Sequence, residues 1–493
     1  MANLNEIKEA RLEKIKLLKE FGMNPYSFDV KRDKTLKEVS YDFDSLIDKG
    51  SFFAVGRVMV VRGQGAILFV ELNDGTGSIQ AVFKKDVLGQ EKTKLFEDTI
   101  DMGDFIEIHC EPFITQRGAK SLLVHDWKII SKSLAPLPEK WSGLADVEET
   151  YRKRYLDILT DKEVFERFKK RSEIVKYIRT FFDNLGFLEI ETPILQKEAG
   201  GAMAKTFNTH HNDYDMDMVM RISLELEHKM LMVSGFNRIY EIGKNFRNEG
   251  SDPTHIQEFT MMEWYAAYMS LKDNMDLTEE LIRGLAKNVM GKEVFKVLDK
   301  DGEEKEVDFS KEWPRVNFAD LLKENAGLDM FSATLDEVQK KAKEFGMDEK
   351  EIGKTSKANL LDFIYKKSSR NKIINPTFVM NYPTDLKPLA AQNGDGTANV
   401  CQLIIAGAEI TNQYQELVDP IEQRNLLENQ AKAKEAGDDE AMSINEEFLT
   451  AMEHGMPPMT GFGMGIDRIV AILTEQRNLR DVIFFPILRP KND

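Results

Sequence analysis

A chain of 493 residues exceeds what one hydrophobic core supports, which excludes a single compact module and predicts about three domains. Its 42% apolar and 31% charged residues are those of a globular protein without a membrane-length apolar run, and with Cys110 and Cys401 as its only cysteines it has no disulfide framework or multi-cysteine zinc site. Lys plus Arg number 67 against 84 Asp plus Glu, and the resulting net charge of −17 argues mildly against indiscriminate polyanion binding while leaving room for a local basic surface.

Met1 to Glu20 mixes Lys, Arg and Glu with no apolar h-region, so neither a signal nor a transit peptide is expected, and a cytoplasmic location is. Ile7, Leu12, Ile15, Leu18 and Phe21 recur at helical spacing, with Gly22 and Pro25 as the stop, which predicts an amphipathic helix over 5–21 in an N-terminal extension, 1–50. From 51 to 135 the pattern changes to short β-rich runs: Phe52–Val61, Ala66–Leu72, Ser78–Phe83, Phe105–Glu111 and Leu122–Ile130, with an Asn73-Asp74-Gly75 turn. Such strands in so short a span suit a small closed barrel of the OB-fold type. Beyond Pro136 and Pro138 long helical patterns alternate with strands, a larger α+β domain over 145–493. Two charged, helix-prone stretches, about 291–312 and 333–370, read as a helical insertion near 290–370.

In the run Ala66–Leu72, alternation places Leu68, Val70 and Leu72 on one face and Ile67, Phe69 and Glu71 on the other. If the aliphatic set is core, Phe69 faces outward as a stacking platform for an unpaired base, with Gln80 on the next strand able to bond a base edge; an ordinary interface aromatic is an equal reading.

Three segments of the larger domain carry chemistry. The first, Gly186-Phe187-Leu188-Glu189-Ile190-Glu191-Thr192-Pro193-Ile194-Leu195, ends a helical run over 162–185 and reads as an edge or interface strand, because Pro cannot donate to a ladder. The second runs from Tyr240 through Arg247 and Glu249 to a loop with His255, then Glu258 to Tyr265. A hairpin here sets Arg247 and Glu249 on one strand face, and Phe259, Met261, Glu263 and Tyr265 on one face of its partner. A guanidinium, carboxylates and aromatic rings on one surface would be costly to bury without a ligand. The third, Gly461-Phe462-Gly463-Met464-Gly465-Ile466-Asp467-Arg468, reads as a glycine-rich turn opening a helix, where backbone approaches a ligand closely and Arg468 reaches an anion or a ring. It lacks the spacing of a dinucleotide fingerprint.

In order and separation these segments resemble motifs 1, 2 and 3 of the class II aminoacyl-tRNA synthetases, and the resemblance narrows to the bacterial-type, lysine-specific class II lysine–tRNA ligase family. It extends over nearly the whole chain through Pro136-Leu137-Pro138-Glu139-Lys140, Tyr151-Arg152-Lys153-Arg154-Tyr155, Gly200-Gly201-Ala202, Asn375-Pro376-Thr377-Phe378 and Gly437-Asp438-Asp439-Glu440-Ala441-Met442. The resemblance implies an OB-fold domain that reads the tRNA anticodon, an antiparallel-sheet catalytic domain, a homodimer formed through the first motif, and activation of lysine by ATP with Mg²⁺. It implies Arg247 and Arg468 as catalytic cations, ATP contacts from Arg247, Glu249, His255, Phe259, Glu409 and Arg468, and Glu409 as a metal ligand. A lysine pocket of Gly201, Glu225, Glu263, Tyr265, Asn412 and Glu416 is implied too. Carboxylates suit an ammonium because leaving them unpaired penalises a neutral competitor.

The sequence departs from the family's pattern at four places, one of them in the barrel, where Arg117-Gly118-Ala119-Lys120-Ser121 replaces a loop that commonly carries a Glu. The motif 2 loop reads His255-Ile256-Gln257-Glu258-Phe259, Leu224 replaces a proline before Glu225, and Gln402 stands where a second metal carboxylate is expected. Gln402 is a neutral candidate ligand, so magnesium is expected to be held more weakly. These departures leave two other readings open: a tRNA-binding or regulatory relative that has lost activation chemistry, and an elongation-factor-modifying relative, although the latter has no barrel.

Overall fold

In a computed structural model the described residues are 3–138, 146–202, 204–298, 302–435 and 442–491. Glu139, Lys140 and Gly437 to Ala441, which belong to runs quoted above, lie outside them. The chain forms two compact units, Met1–Ala145 and Asp146–Asp493.

In the first unit, the strands β1 (Phe52–Gln64), β2 (Ile67–Asn73), β3 (Ser78–Lys84), β4 (Phe105–Ile114) and β5 (Lys120–Ser131) close in the order β1-β2-β3-β5-β4. Alternation fills the barrel: Leu68, Val70 and Leu72 are buried with Val58, Ile79, Ile108 and Val124, joined by Leu18 of the helix Leu4–Glu20. That helix starts at a capping box on Asn3 and Glu6, as its sequence requires.

The second unit is built on β6 (Leu188–Glu189), β7 (Leu195–Gln196), β8 (Asn208–His211), β9 (Met216–Met220), β10 (Arg238–Phe246), β11 (Glu258–Ala267), β12 (Val294–Leu298), β13 (Glu304–Asp308), β14 (Arg315–Asn317), β15 (Thr377–Met380), β16 (Val400–Ile405), β17 (Ala408–Gln415) and β18 (Met459–Gly465). Eight of them form one sheet in the order β14-β15-β16-β17-β18-β11-β10-β6, antiparallel except for the edge pairs β14–β15 and β10–β6. Met262, Trp264 and Ala266 of β11, with Phe462 and Met464 of β18, pack down onto Ile174, Ile178 and Phe182 of the helix Lys162–Asn184. The alternate residues of the same strands face the other way, which gives the sheet an open upper face.

The stretch 291–312, expected as helical, is instead the β12–β13 hairpin. Phe295, Val297, Val307 and Phe309 are buried at period two, while Lys296 and Glu304 pair at 2.8 Å on the outer side, so strand periodicity overrides the helix propensity of Lys and Glu. The stretch 333–370 is helical, with helices Leu335–Glu344 and Lys357–Ser368. Val338, Leu361 and Ile364 share a core with Val379, Val400 and Ile404, so these helices cover the β14-to-β16 end of the sheet. Among the described residues no helix is long and apolar enough to cross a membrane.

Candidate active site

On the open face lies a cavity of about 400 Å³ lined by residues of β11, β17 and β18, the start of the helix Glu225–Val233, and the loops around 201, 249–255 and 387–389. Of the residues singled out from sequence, Gly201, Glu225, Arg247, Glu249, His255, Phe259, Glu263, Tyr265, Glu409, Asn412, Glu416 and Arg468 all line it.

Arg247 and Glu249 reach the cavity by a different route from the one expected. β10 ends at Phe246, and although the Arg247 N–H still donates to Gln257 O at 2.8 Å, the Glu249 N–H turns back onto Arg247 O at 2.9 Å. Both residues therefore sit in a tight turn rather than on one strand face. Phe259, Met261, Glu263 and Tyr265 do lie on one strand and all line the cavity. The Arg247 guanidinium stands 5.2 Å from the Phe259 ring centroid and donates to Ile222 O at 3.4 Å. His255 is at the exposed rim, its Nδ1 2.9 Å from Asp252 Oδ2.

The glycine segment also differs from expectation: Gly461, Gly463 and Gly465 belong to β18, between β11 and β17, and the helix Ile466–Leu473 starts only after them. The reason for glycine is close approach from the sheet face. A Cβ at Gly461 would collide with Glu416 Oε1 and stand 2.6 Å from the Tyr265 ring, so this strand forms the floor of the pocket. At Gly201, φ is +77° and a Cβ would come within 2.9 Å of that of Glu225. Arg468, in the first turn of the helix, donates from Nη1 to Glu409 O at 2.9 Å. Its neighbour Asp467 accepts from Thr260 N at 2.7 Å and pairs with Arg171 at 2.7 Å, which locks the helix start to β11.

Glu409 reaches the cavity because of a bulge. Leu403 pairs with Thr411 but Ile404 with Glu409, leaving Ile410 as an extra residue, so Glu409 and Asn412 line the same cavity despite their odd and even positions. Burial would raise the Glu409 carboxyl, but Lys387, Arg468, Arg370 and Lys366 outweigh it and hold the group below the ordinary range. Gln402 does not join it. This side chain is buried opposite Asn412 and does not line the cavity, and its carbonyl already accepts from Tyr382 OH at 2.7 Å, so the expected second metal donor is engaged elsewhere. Among the described residues no three His, Cys, Asp or Glu side chains cluster as a metal site.

At the other end the buried carboxylates converge. Glu263 accepts from Ser223 Oγ and Leu224 N, both at 3.3 Å, and lies 3.5 Å from Tyr265 OH. Burial, reinforced by the charge of Glu225, pushes Glu263 up to about 8. Burial raises Glu416 as well, against the pull of Lys229, and Tyr265 stays a phenol because burial and the same carboxylates raise it well above its usual range. Asn412 donates to Tyr414 OH at 2.7 Å and lies 3.4 Å from the Lys387 ammonium.

The sequence reading missed Lys229, Lys366, Lys387 and Tyr414. Lys229 was legible, since it follows Glu225 by one helical turn. Lys366 and Lys387 carry no local signal; they come to the cavity from a helix and a loop assigned no role. In the barrel, Phe69 is half-buried on the outer face, as expected. Gln80 shares that face, paired with Glu71, but its Nε2 already donates to Ser121 Oγ at 2.9 Å.

An antiparallel sheet whose open face holds Arg247 and Arg468 in one cavity agrees with the families that the chain matches. Residues 146–489 match the family described as tRNA synthetases class II (D, K and N), and residues 54–130 the family described as OB-fold nucleic acid binding domain. The chain belongs to the class II tRNA synthetases, with an OB-fold domain ahead of the catalytic one. Within that class it is similar to lysine–tRNA ligases. It is 42% identical to that of Carboxydothermus hydrogenoformans, over 99% of both chains, and 41% identical to that of Thermotoga maritima, over 99% of this chain and 97% of the other. The lysine–tRNA ligase of Lactococcus lactis is 41% identical over 99% of both.

Proposed function

We infer that the protein activates lysine with ATP to lysyl-adenylate and transfers the lysyl group to the 3′-terminal ribose of lysine tRNA. The observation that carries the specificity is one cavity lined both by guanidinium groups, Arg247 and Arg468, and by the buried carboxylates Glu225, Glu263 and Glu416. Free lysine has the matching chemistry, an anionic carboxylate at one end and an ammonium on an apolar stem at the other.

The lysine carboxylate attacks the α-phosphorus of ATP; a carboxylate–phosphorus bond forms as the bond to the bridging oxygen breaks, and pyrophosphate leaves. Two anions must meet, so the barrier falls when fixed cations neutralise the developing charge and hold the line of attack. Arg247 takes the α-phosphate and the carboxylate, and Arg468 and Phe259 take the two faces of adenine, with Glu249 beside it and His255 toward the outer phosphates. No general base is required, because the nucleophile is already ionised. The ammonium end rests on Glu263, Glu416 and Tyr265, the α-amino end on Gly201 and Glu225, with Asn412 between.

A single half-buried carboxylate ringed by cations fits a Mg²⁺ that arrives on the ATP phosphates, with Glu409 as its protein ligand, better than a resident metal. Bound there, the ion would neutralise the phosphates. The outward Phe69, with Gln80 beside it, supports a role for the barrel in gripping unpaired anticodon bases. The apolar edge at Leu188, Ile194 and Leu195, each at least 40% exposed, supports a homodimer through this segment. A cytoplasmic enzyme of translation is the matching cellular role.

Lysine-dependent ATP–pyrophosphate exchange followed by charging of lysine tRNA tests the reading. Arg247→Ala should lower exchange by about 10²–10³-fold while the fold is kept. Exchange that prefers another amino acid, or none, refutes it; charging failure with intact exchange leaves only the activation half standing.

A further inference from the structure

Lys229 is a fully buried ammonium within the pocket wall. Its Nζ donates to Glu225 Oε1 at 2.7 Å and to Leu389 O at 3.3 Å, and forms an ion pair with Glu416 Oε2 at 2.5 Å. Glu416 comes from the end of β17 and Glu225 from the start of a helix; Lys229 spans them. Neither carboxylate oxygen of Glu416 has a hydrogen-bond partner, although the residue is 3% exposed and lines the cavity. A bare buried carboxylate oxygen is costly, so the site is incomplete without a donor.

We propose that Lys229 is a positioning and specificity-determining residue: it fixes Glu225 and Glu416 at the pocket's end and sets a charge deficit that a ligand with two ammonium groups fills. This rests on the reading of the cavity as the lysine site. In the ionised form that an ammonium ligand binds, Glu225, Glu263 and Glu416 against one fixed ammonium carry two negative charges in excess, and free lysine carries an α- and an ε-ammonium. An amino acid with a neutral side chain brings only one cation and leaves a carboxylate buried without a partner, a penalty that attraction elsewhere in the pocket does not remove. Without Lys229 the deficit grows by one, and Glu416, which faces Glu225, Glu263, Tyr265 and Tyr414, takes up a proton in place of the ion pair.

The test uses the full-length protein and Lys229→Met, which keeps the length of the stem. The expected result is a lysine KM raised about tenfold or more in pyrophosphate exchange, an ATP KM within about twofold of the unaltered protein, and a lysine-affinity pH profile whose midpoint moves about one unit or more upward. An ATP-induced rise in melting temperature reports that the fold and nucleotide site persist. A lysine KM within about threefold of the unaltered protein, or a raised KM with an unmoved midpoint, overturns the proposal, the latter because packing alone would act equally at every pH. A second measurement needs no variant: calorimetry of cadaverine and of hexylamine on the unaltered protein. Cadaverine supplies two ammonium groups and hexylamine one on the same apolar stem, so cadaverine binding at least about tenfold tighter is expected, and hexylamine binding as tightly overturns the charge-deficit account. Absence of lysine-dependent exchange in the unaltered protein refutes the functional reading itself, an outcome distinct from either.

Discussion

Lysine binding should expel a proton, and its affinity should rise with pH across the neutral range. Glu263 is 4% exposed and faces Glu225, and burial with this neighbouring charge raises it to about 8 in the ligand-free pocket. In the folded protein the neutral form is therefore favoured below that value, whereas an ammonium ligand binds the ionised form. The sign follows from linkage: binding pulls the carboxyl back toward its ordinary value, a proton leaves, and affinity is gained as pH climbs toward 8. With a single group at that value, the ionised fraction is about 3% at pH ~6.5 and half at pH ~8, so the lysine KM should fall about 15-fold over that interval. Titration calorimetry at pH ~7 in two buffers of different ionisation enthalpy should count about one proton released per lysine bound. Glu263→Gln removes one of the two raised carboxyls, so the proton release should fall and the slope should flatten. A lysine KM that is flat from pH ~6.5 to ~8, or a KM that rises with pH, would refute the reasoning.

Gly461→Ala places a methyl against Glu416 Oε1 and the Tyr265 ring, and overpacking of that kind costs about 1–3 kcal/mol, so the lysine KM should rise by at least about fivefold while the ATP KM changes little. Lys387→Met removes a principal cation beside Glu409; the ATP KM and the magnesium concentration needed for half-maximal exchange should both rise, by about fivefold each, and an unchanged magnesium requirement argues against a role for this ammonium at the phosphates. Phe69→Ala removes an outward ring from the barrel without touching the catalytic cavity: the tRNA KM should rise by about tenfold, as the loss of one stacked base predicts, with lysine-dependent exchange intact.

Local pattern was enough to specify the barrel, because β2 and most of β1 alternate inward and outward residues and the β2–β3 turn carries Asn73, Asp74 and Gly75 in the positions a hairpin needs. It was enough as well for β11, where Phe259, Met261, Glu263 and Tyr265 fall on one face while Met262 and Trp264 enter the core. The hairpin over 291–312 escaped the reading because its buried residues, Phe295, Val297, Val307 and Phe309, are separated by Lys and Glu that favour helix in isolation. Family resemblance marked Glu409 and Gln402, yet no residue pattern reveals that an unpaired Ile410 brings Glu409 to the cavity that Asn412 lines, or that Tyr382 claims the carbonyl of Gln402.

Residue type and spacing thus determined which groups were available and which strands would carry them, since side-chain period and turn chemistry are properties of neighbouring residues. Tertiary structure alone decided which charges share a pocket. Lys229 meets Glu416, and Lys387 comes beside Glu409, only because a helix and a loop close over the sheet; the sign and size of an electrostatic interaction depend on distance and burial, which chain order does not encode.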